Sequence, residues 1–171
     1  HNVYNALAAA AAAYTLGISG KAVRQGLEGF FGAGRRFEFK GQFNGAKIYD
    51  DYAHHPAELH ALLDMARTLG YERVICAFQP HTYTRTKALF DDFVRELKAA
   101  DLVVLTDIYA AREKNTIGVS SKELADQIPG SLYCPSLGEA ADCLRELAQT
   151  GDLIITVGAG DIYTVGEALV G

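Results

Sequence analysis

From Gly34 onward the chain alternates short apolar runs with amphipathic stretches, and this alternation restricts it to few folds. The strand-like runs are Arg36–Phe43, Lys47–Asp50, Val74–Phe78, Leu102–Thr106, Ser131–Tyr133 and Leu153–Val157. They are too short for helices and rich in β-branched and aromatic residues. Helical patterns fall between them, near Ala57–Leu69, Lys87–Ala99, Ser121–Gln127, Leu137–Gln149 and Ile162–Leu169. Asn44-Gly45 links the first two runs and is a strong hairpin signal. Strands and helices repeating at this spacing predict an α/β fold with a Rossmann-like, mainly parallel sheet and helices on both faces. The first hairpin strand is expected to be its antiparallel edge.

The residues before Gly34 read differently. Ala6 and the run Ala8–Ala13 predict a helix over about His1–Leu16, since alanine is the best helix former. Gly17 is placed to end it. Ser19 can cap a second helix running to about Gly29. Phe30 to Gly34 then read as a linker, which places a boundary between residues 1–33 and 34–171. The sequence lacks an initiator Met and opens in what reads as mid-helix, so a larger parent protein is expected.

The formal net charge of −5 argues against a general nucleic-acid or anionic-membrane binder, which needs excess Lys and Arg. A local basic pocket for a phosphorylated small molecule stays open. Cys76, Cys134 and Cys143 are odd in number and have no CxxC spacing. They are expected to be reduced thiols of a cytoplasmic protein. The alanine-rich opening has no basic region of a signal peptide, and no apolar run is long enough to span a membrane.

Unusual polar residues fall after the strand runs. Asp50 to His55 follow Tyr49, and Gln79 to Thr86 follow Phe78. Asp107, Tyr109, Arg112, Glu113, Lys114 and Asn115 follow Thr106, and Gly158 to Asp161 follow Val157. In a parallel sheet the carboxyl ends of the strands share one edge, which is where such sheets bind ligands. The clusters are therefore expected to form one composite pocket.

Within it, Asp50 and Asp51 offer carboxylates for ribose hydroxyls, for orienting a histidine or for a metal shell. The plainer reading is a turn cap or a solvated acid. His54 and His55 can serve as base, ligand or carboxylate partner, or simply hydrogen-bond at a helix start. A zinc site is the rival chemistry, but the spacing fits neither HExxH nor HxxEH. Arg85 is the best anion fork in the chain. Placed at a helix start it would oppose the helix dipole, so it is expected to have an anionic partner. His81 is either a ligand contact or a loop hydrogen bond. Gly158-Ala159-Gly160-Asp161 can bring backbone amides to an anion, or can simply pack tightly with Asp161 as N-cap. Arg112 to Lys114 read as a charged loop face or a binding group. Arg35-Arg36 is either solvated charge or a phosphate clamp at the boundary. Asn2 and Asn5 share a helix face beside His1, where amides can read a base edge or merely cap.

Several pieces resemble the Mur ligase family, in its order and over essentially the whole chain. They are His1-Asn2-Val3-Tyr4-Asn5-Ala6, Gly34-Arg35-Arg36-Phe37, Asp50-Asp51-Tyr52-Ala53-His54-His55-Pro56, Phe78-Gln79-Pro80-His81, Tyr83-Thr84-Arg85-Thr86 and Gly158-Ala159-Gly160-Asp161-Ile162. The resemblance implies the C-terminal part of an ATP-dependent amide ligase of peptidoglycan synthesis. It implies ATP and Mg2+ as cofactors, with the magnesium ligands mainly in a central domain outside this sequence. It implies UDP-N-acetylmuramate and L-alanine as substrates and the rest of the same polypeptide as partner.

By the same resemblance His1, Asn2 and Asn5 contact adenine, Arg36 the ATP phosphates and Asp51 the ribose. Tyr52, His54, His55, His81 and Arg85 line the amino-acid end, with His54 and Arg85 nearest the chemistry and Arg85 pairing with the amino-acid carboxylate. Residues 1–33 would be the last helices of the central ATPase domain. Thr82 stands where many relatives have a second Arg, so the carboxylate clamp is expected to be either thinner or completed elsewhere. No Gly-x-x-Gly-Lys-Thr phosphate loop occurs in these residues, so they are expected to be inactive by themselves. Two other readings stand beside this one. They are a ligase of the same family that takes a tripeptide, and a non-catalytic Rossmann-like nucleotide-binding module.

Overall fold

The computed structural model describes residues 2–30 and 32–171. The expected adenine contact of His1 and the linker role of Phe31 lie outside the described residues, as does the side chain of Asn2. The chain divides into two compact units, His1–Ala33 and Gly34–Gly171.

The first unit is a helix pair, α1 (Asn2–Thr15) and α2 (Gly20–Glu28). Gly17 ends α1 at φ 73°, a backbone state that glycine adopts without strain. The Gly17 amide bonds the Tyr14 carbonyl and the Ile18 amide bonds the Ala13 carbonyl, which satisfies the last carbonyls of α1. Ser19 caps α2 by accepting from the Ala22 amide at 3.3 Å. Helix α2 buries no residue, and Tyr14, Leu16 and Phe30 are 82%, 79% and 66% exposed. Packing within this unit therefore leaves its apolar side chains in solvent.

The second unit holds β1 (Glu38–Phe43), β2 (Ala46–Asp51), α3 (Pro56–Arg67), β3 (Arg73–Phe78), α4 (Tyr83–Ala88), α5 (Phe90–Leu97) and β4 (Leu102–Leu105). It continues with α6 (Ser121–Asp126), β5 (Leu132–Tyr133), α7 (Leu137–Leu147), β6 (Asp152–Val157) and α8 (Tyr163–Val170). The strands form one six-stranded sheet in the order β1-β2-β6-β3-β4-β5. Only the β1–β2 hairpin is antiparallel, so the edge strand is where the sequence places it. Asn44 and Gly45 both take positive φ, as a tight hairpin turn with matching twist requires.

Helix placement follows from crossover handedness. The path β2-α3-β3-α5-β4-α6-β5 moves along the sheet in one direction, while β5-α7-β6 returns in the other. Right-handed crossovers in opposite directions put their helices on opposite faces. Leu59, Leu63, Phe93, Leu97 and Leu124 accordingly pack on one face, against Cys76, Phe78, Ile155 and Val157. Ala140, Leu144, Val165 and Leu169 pack on the other, against Ile48, Ile75, Ala77 and Ile154. Alternate residues of β3 feed opposite cores, and β6 is buried along its whole length. This explains why its sequence is a continuous apolar run rather than an alternating one.

One expectation needs correction. The helix predicted over Lys87–Ala99 is two helices, broken at Leu89, and α4 begins within the stretch read as a polar loop. Threonines 82, 84 and 86 are poor helix formers and conceal it. A tertiary bond helps hold it, since Glu113 accepts from the Thr84 amide at 2.9 Å, and the Thr86 hydroxyl adds a local bond to the Thr82 carbonyl at 2.7 Å.

Two separate cores predict nearly independent losses. Phe93→Ala is expected to cost about 3–5 kcal/mol and Leu144→Ala about 2–5 kcal/mol. Urea unfolding of the double variant should give their sum within about 0.5 kcal/mol.

Candidate functional site at the carboxyl edge of the sheet

Parallel register brings Asp51 level with Val157, and Val157 level with Phe78. The turns after β2, β6 and β3 therefore leave the sheet side by side. The turn after β4 joins them through a bridge between His81 and Tyr109, with the Tyr109 amide on the Pro80 carbonyl at 2.8 Å.

The β2–α3 turn is fastened from below. Asp51 is 7% exposed, and its two oxygens accept from the Phe37 and Ala53 amides, each at 2.8 Å. Burial raises its pKa against these amides and the Arg36 charge, which pull it down. Each oxygen keeps a further lone pair for a ligand. Asp50 is fully buried and accepts from Arg35 Nε at 2.8 Å and the Thr156 hydroxyl at 2.7 Å, so it serves the fold.

His55 takes the helix-start role. It precedes Pro56 at the first turn of α3, and its Nδ1 accepts from the Ala57 amide at 3.3 Å. Glu58 completes the capping box by accepting from the His54 and His55 amides at 2.9 and 3.2 Å. Burial pushes the Glu58 carboxyl up, but these amides and the nearby His54 hold it below its ordinary value. His54 joins the cap through its amide, and its ring Nδ1 lies 3.5 Å from Glu58 Oε2. The same Nδ1 lies 3.0 Å from the Tyr52 carbonyl, which can only accept, so the neutral tautomer that fits this contact carries its proton on Nδ1 and offers Nε2 as an acceptor.

The β3–α4 turn carries the strain. Thr82 has φ 67° and ψ 141°, a conformation that a β-branched residue rarely adopts. Its amide bonds the Tyr109 carbonyl at 2.9 Å, and its carbonyl receives the Thr86 amide at 3.1 Å. His81 stacks on Tyr109 at 5.5 Å and lies 6.2 Å from His54, which in turn meets Tyr52 edge-on at 5.4 Å. Tyr52, His54, His81 and Tyr109 thus form one aromatic row across the edge. His81 Nδ1 and an Arg85 Nη are buried without a hydrogen-bond partner among the described residues. Leaving such nitrogens unpaired costs roughly 1–3 kcal/mol each, which marks a place for a ligand or water.

Two readings change. Arg85 is the third residue of the six-residue α4, so it stands at the helix start as expected but also within a turn of the helix end, and the dipole alone does not demand an anion there. The unpaired guanidinium nitrogen demands one instead. The Gly158–Asp161 turn presents carbonyls, not amides, to its charged neighbour: Arg35 donates to the Gly158 and Gly160 carbonyls at 2.6 and 2.9 Å. Asp161 accepts from Gln79 Nε2 at 2.8 Å and does not cap α8 through its side chain. A Cβ on Gly160 would meet Gln79 Oε1 at 2.3 Å and the Tyr109 ring at 2.7 Å, so tight packing is the reading the geometry supports.

Arg36 is exposed, and its charge is felt by Asp51 and Glu58. An exposed guanidinium beside Asp51 fits a polyphosphate by charge. Asn5 is exposed on α1, in the other unit. Arg112 and Lys114 are exposed, while Glu113 ties its loop to Thr84. Among the described residues no three His, Cys, Asp or Glu side chains gather to hold a metal ion. Nor is any helix among them long and apolar enough to cross a membrane.

Residues 35–160 match the family model described as Mur ligase, glutamate ligase domain. The chain belongs to the Mur ligase family. It is 49% identical to UDP-N-acetylmuramate–L-alanine ligase of Caldanaerobacter subterraneus over 98% of this chain and 37% of that protein. It is similar to the crystal structure of UDP-N-acetylmuramate-alanine ligase from Thermotoga maritima, with TM-score 0.79, 29% identity, and coverage of 99% of this chain and 37% of that one. A murein peptide ligase from Psychrobacter arcticus matches with TM-score 0.71 and 27% identity, over 99% of this chain and 36% of that one. The chain thus spans little more than a third of the relatives it matches.

Desolvation, then the Arg85 and His54 charges, lower the His81 pKa below its ordinary value. The unfolded chain therefore takes up a proton at a pH where the folded one does not, and stability falls as pH drops through the ordinary histidine range near ~6.5. An NMR titration should place the His81 midpoint below that of an unfolded peptide. His81→Gln should lose less stability than the parent between pH 7 and pH 5.

Proposed function

We propose that this chain is the C-terminal, amino-acid- and nucleotide-contacting part of an ATP-dependent ligase that joins L-alanine to UDP-N-acetylmuramate. The observation that carries the reading is the pair of buried, unpartnered nitrogens on the β3–α4 turn, His81 Nδ1 and an Arg85 Nη. A carboxylate is the ligand that a planar guanidinium pairs with best. The relatives at 49% and 50% identity bear the name of that ligase, which supports the substrate. The exposed apolar side chains of α1 and α2 support the placing of residues 1–33 as the end of a central ATPase domain, with the rest of the polypeptide as partner. We also place the ligase in the cytoplasm.

In this reading Arg85 pairs with the alanine carboxylate, and His81 lends a polar contact beside it. Fixing the carboxylate aims the amine away from Arg85, toward Tyr52 and His54. His54 Nε2, an acceptor in the neutral ring, takes a proton from that amine as its nitrogen bonds the activated carboxyl carbon and the acyl C–O bond breaks, releasing phosphate. ATP, when bound, supplies the phosphoryl group that activates the carboxyl of the other substrate. Arg36 offsets phosphate charge, Asp51 accepts from a ribose hydroxyl, and His1, Asn2 and Asn5 contact the base. Binding groups held in place turn the amine's attack into a nearly unimolecular step. His55 acts through the turn it caps and needs no contact with alanine. Phosphate activation and magnesium chemistry need groups beyond these residues, so the chain alone is expected to release no phosphate from ATP.

The likeness to a murein peptide ligase keeps a second substrate in view, a tripeptide entering by the same amine. Feeding the intact protein L-alanine or the tripeptide separates the two. In that intact protein Arg85→Ala should raise the KM for alanine by about 10- to 100-fold, the worth of a hydrogen bond to a charged group. The KM for ATP should change by less than about twofold. An equal rise in both would contradict the carboxylate role.

A further inference from the structure

Arg35 sits beside Arg36, the residue given to phosphate, yet the structure uses it quite differently. Its side chain is 23% exposed, and Nε meets the fully buried Asp50 at 2.8 Å. The remaining guanidinium nitrogens donate to the Gly158 and Gly160 carbonyls. Its Cζ also lies over two rings, 5.0 Å from the centroid of Tyr52 and 4.8 Å from that of Tyr163. Its carbonyl receives the Tyr52 amide at 2.8 Å, and its own amide donates to Glu38 at 2.7 Å, which holds that carboxyl below its ordinary value. The backbone is at φ 57°, left-handed for a residue that carries a Cβ. A strained backbone with each guanidinium nitrogen hydrogen-bonded is over-determined by its surroundings.

We propose that Arg35 is a positioning residue of the amino-acid site, and that it is no phosphate ligand. The proposal rests on the reading of the site given above. Arg35 adds a side-chain tie between two turns that otherwise meet through the Gly158 amide on the Asp51 carbonyl at 3.1 Å. One carries Tyr52 and His54, the wall facing the incoming amine. The other is the Gly158–Gly160 turn, which packs on Gln79 and Tyr109 and so backs the row containing His81. Through Arg35 the two walls keep one separation. A lysine at this position keeps a charge for Asp50. It has no planar fork to bond two carbonyls at once and no flat face for two rings. It therefore tests positioning while sparing the buried acid an unpaired charge, which Arg35→Ala would not.

Two measurements on Arg35→Lys in the intact protein decide the matter. The first needs no substrate. Amide hydrogen exchange should quicken about tenfold or more at residues 52–55 and 158–162 while the central strands keep their protection. The second is kinetic. The KM for L-alanine should rise about tenfold with the KM for ATP changed less than about twofold. Unchanged exchange in the two turns, or loosening spread evenly through the sheet, would overturn the proposal. So would local loosening with an unaltered alanine KM, or a rise in ATP KM matching that for alanine. Arg85→Ala is the control on the reading beneath: if it too leaves the alanine KM unchanged, the assignment of the site has failed, whereas a normal response there places the failure on Arg35.

Discussion

The polar edge exists because β6 lies between β2 and β3 in parallel register with both. Ile154 stands opposite Ile48 on one side and Ile75 on the other, and the same rungs carry Val157 to the level of Asp51 and Phe78. Three turns distant in sequence therefore leave the sheet at the same height. Two apolar layers lock that register, since a slip of one residue would turn the apolar side chains of one core into the other. The central strand is buried throughout, so it has no solvent-facing side to absorb such an error.

Above this rigid base the edge departs from the rules that the rest of the unit follows. Thr82 takes a backbone state poorly suited to a β-branched side chain, and two buried nitrogens beside it lack partners. Arg35 adds a second strained position on the other side of the row. Local cost gathered at one edge, over a sheet satisfied elsewhere, is the pattern of a site held open for a ligand. The aromatic row from Tyr52 to Tyr109 runs between the two strained positions. It gives the edge ring faces together with the polar atoms of two histidines and two tyrosines.

Much of this was legible in the sequence. Strand runs and the Asn44-Gly45 turn are local signals, so the β elements fall within a residue or two of their expected places. Grouping the polar turns on one edge needed only the inference of a parallel sheet. What stayed hidden depends on distant residues. Nothing near Arg35 announces that its partners lie 15, 123 and 125 positions away. Helix α4 was invisible because its threonines oppose helix formation and its stabilising bonds come from Glu113 and from Thr82's unusual backbone. Arg85 stands at the start of α4 as its sequence position suggests, but the helix is too short for the dipole to single it out; its buried, unpaired nitrogen does. His55 shows the converse: adjacency to His54 and Pro56 marked it as functional, but the same adjacency makes it a helix cap.

The central claim is that the unpaired nitrogens of the β3–α4 turn receive the carboxylate of an amino acid whose amine then faces Tyr52 and His54. A crystal structure of the intact protein with L-alanine and ADP bound tests this most directly. The account predicts an alanine carboxylate oxygen within hydrogen-bond distance of an Arg85 Nη, with the amine on the Tyr52–His54 side. Alanine held elsewhere, with that guanidinium nitrogen still unpartnered, would contradict it.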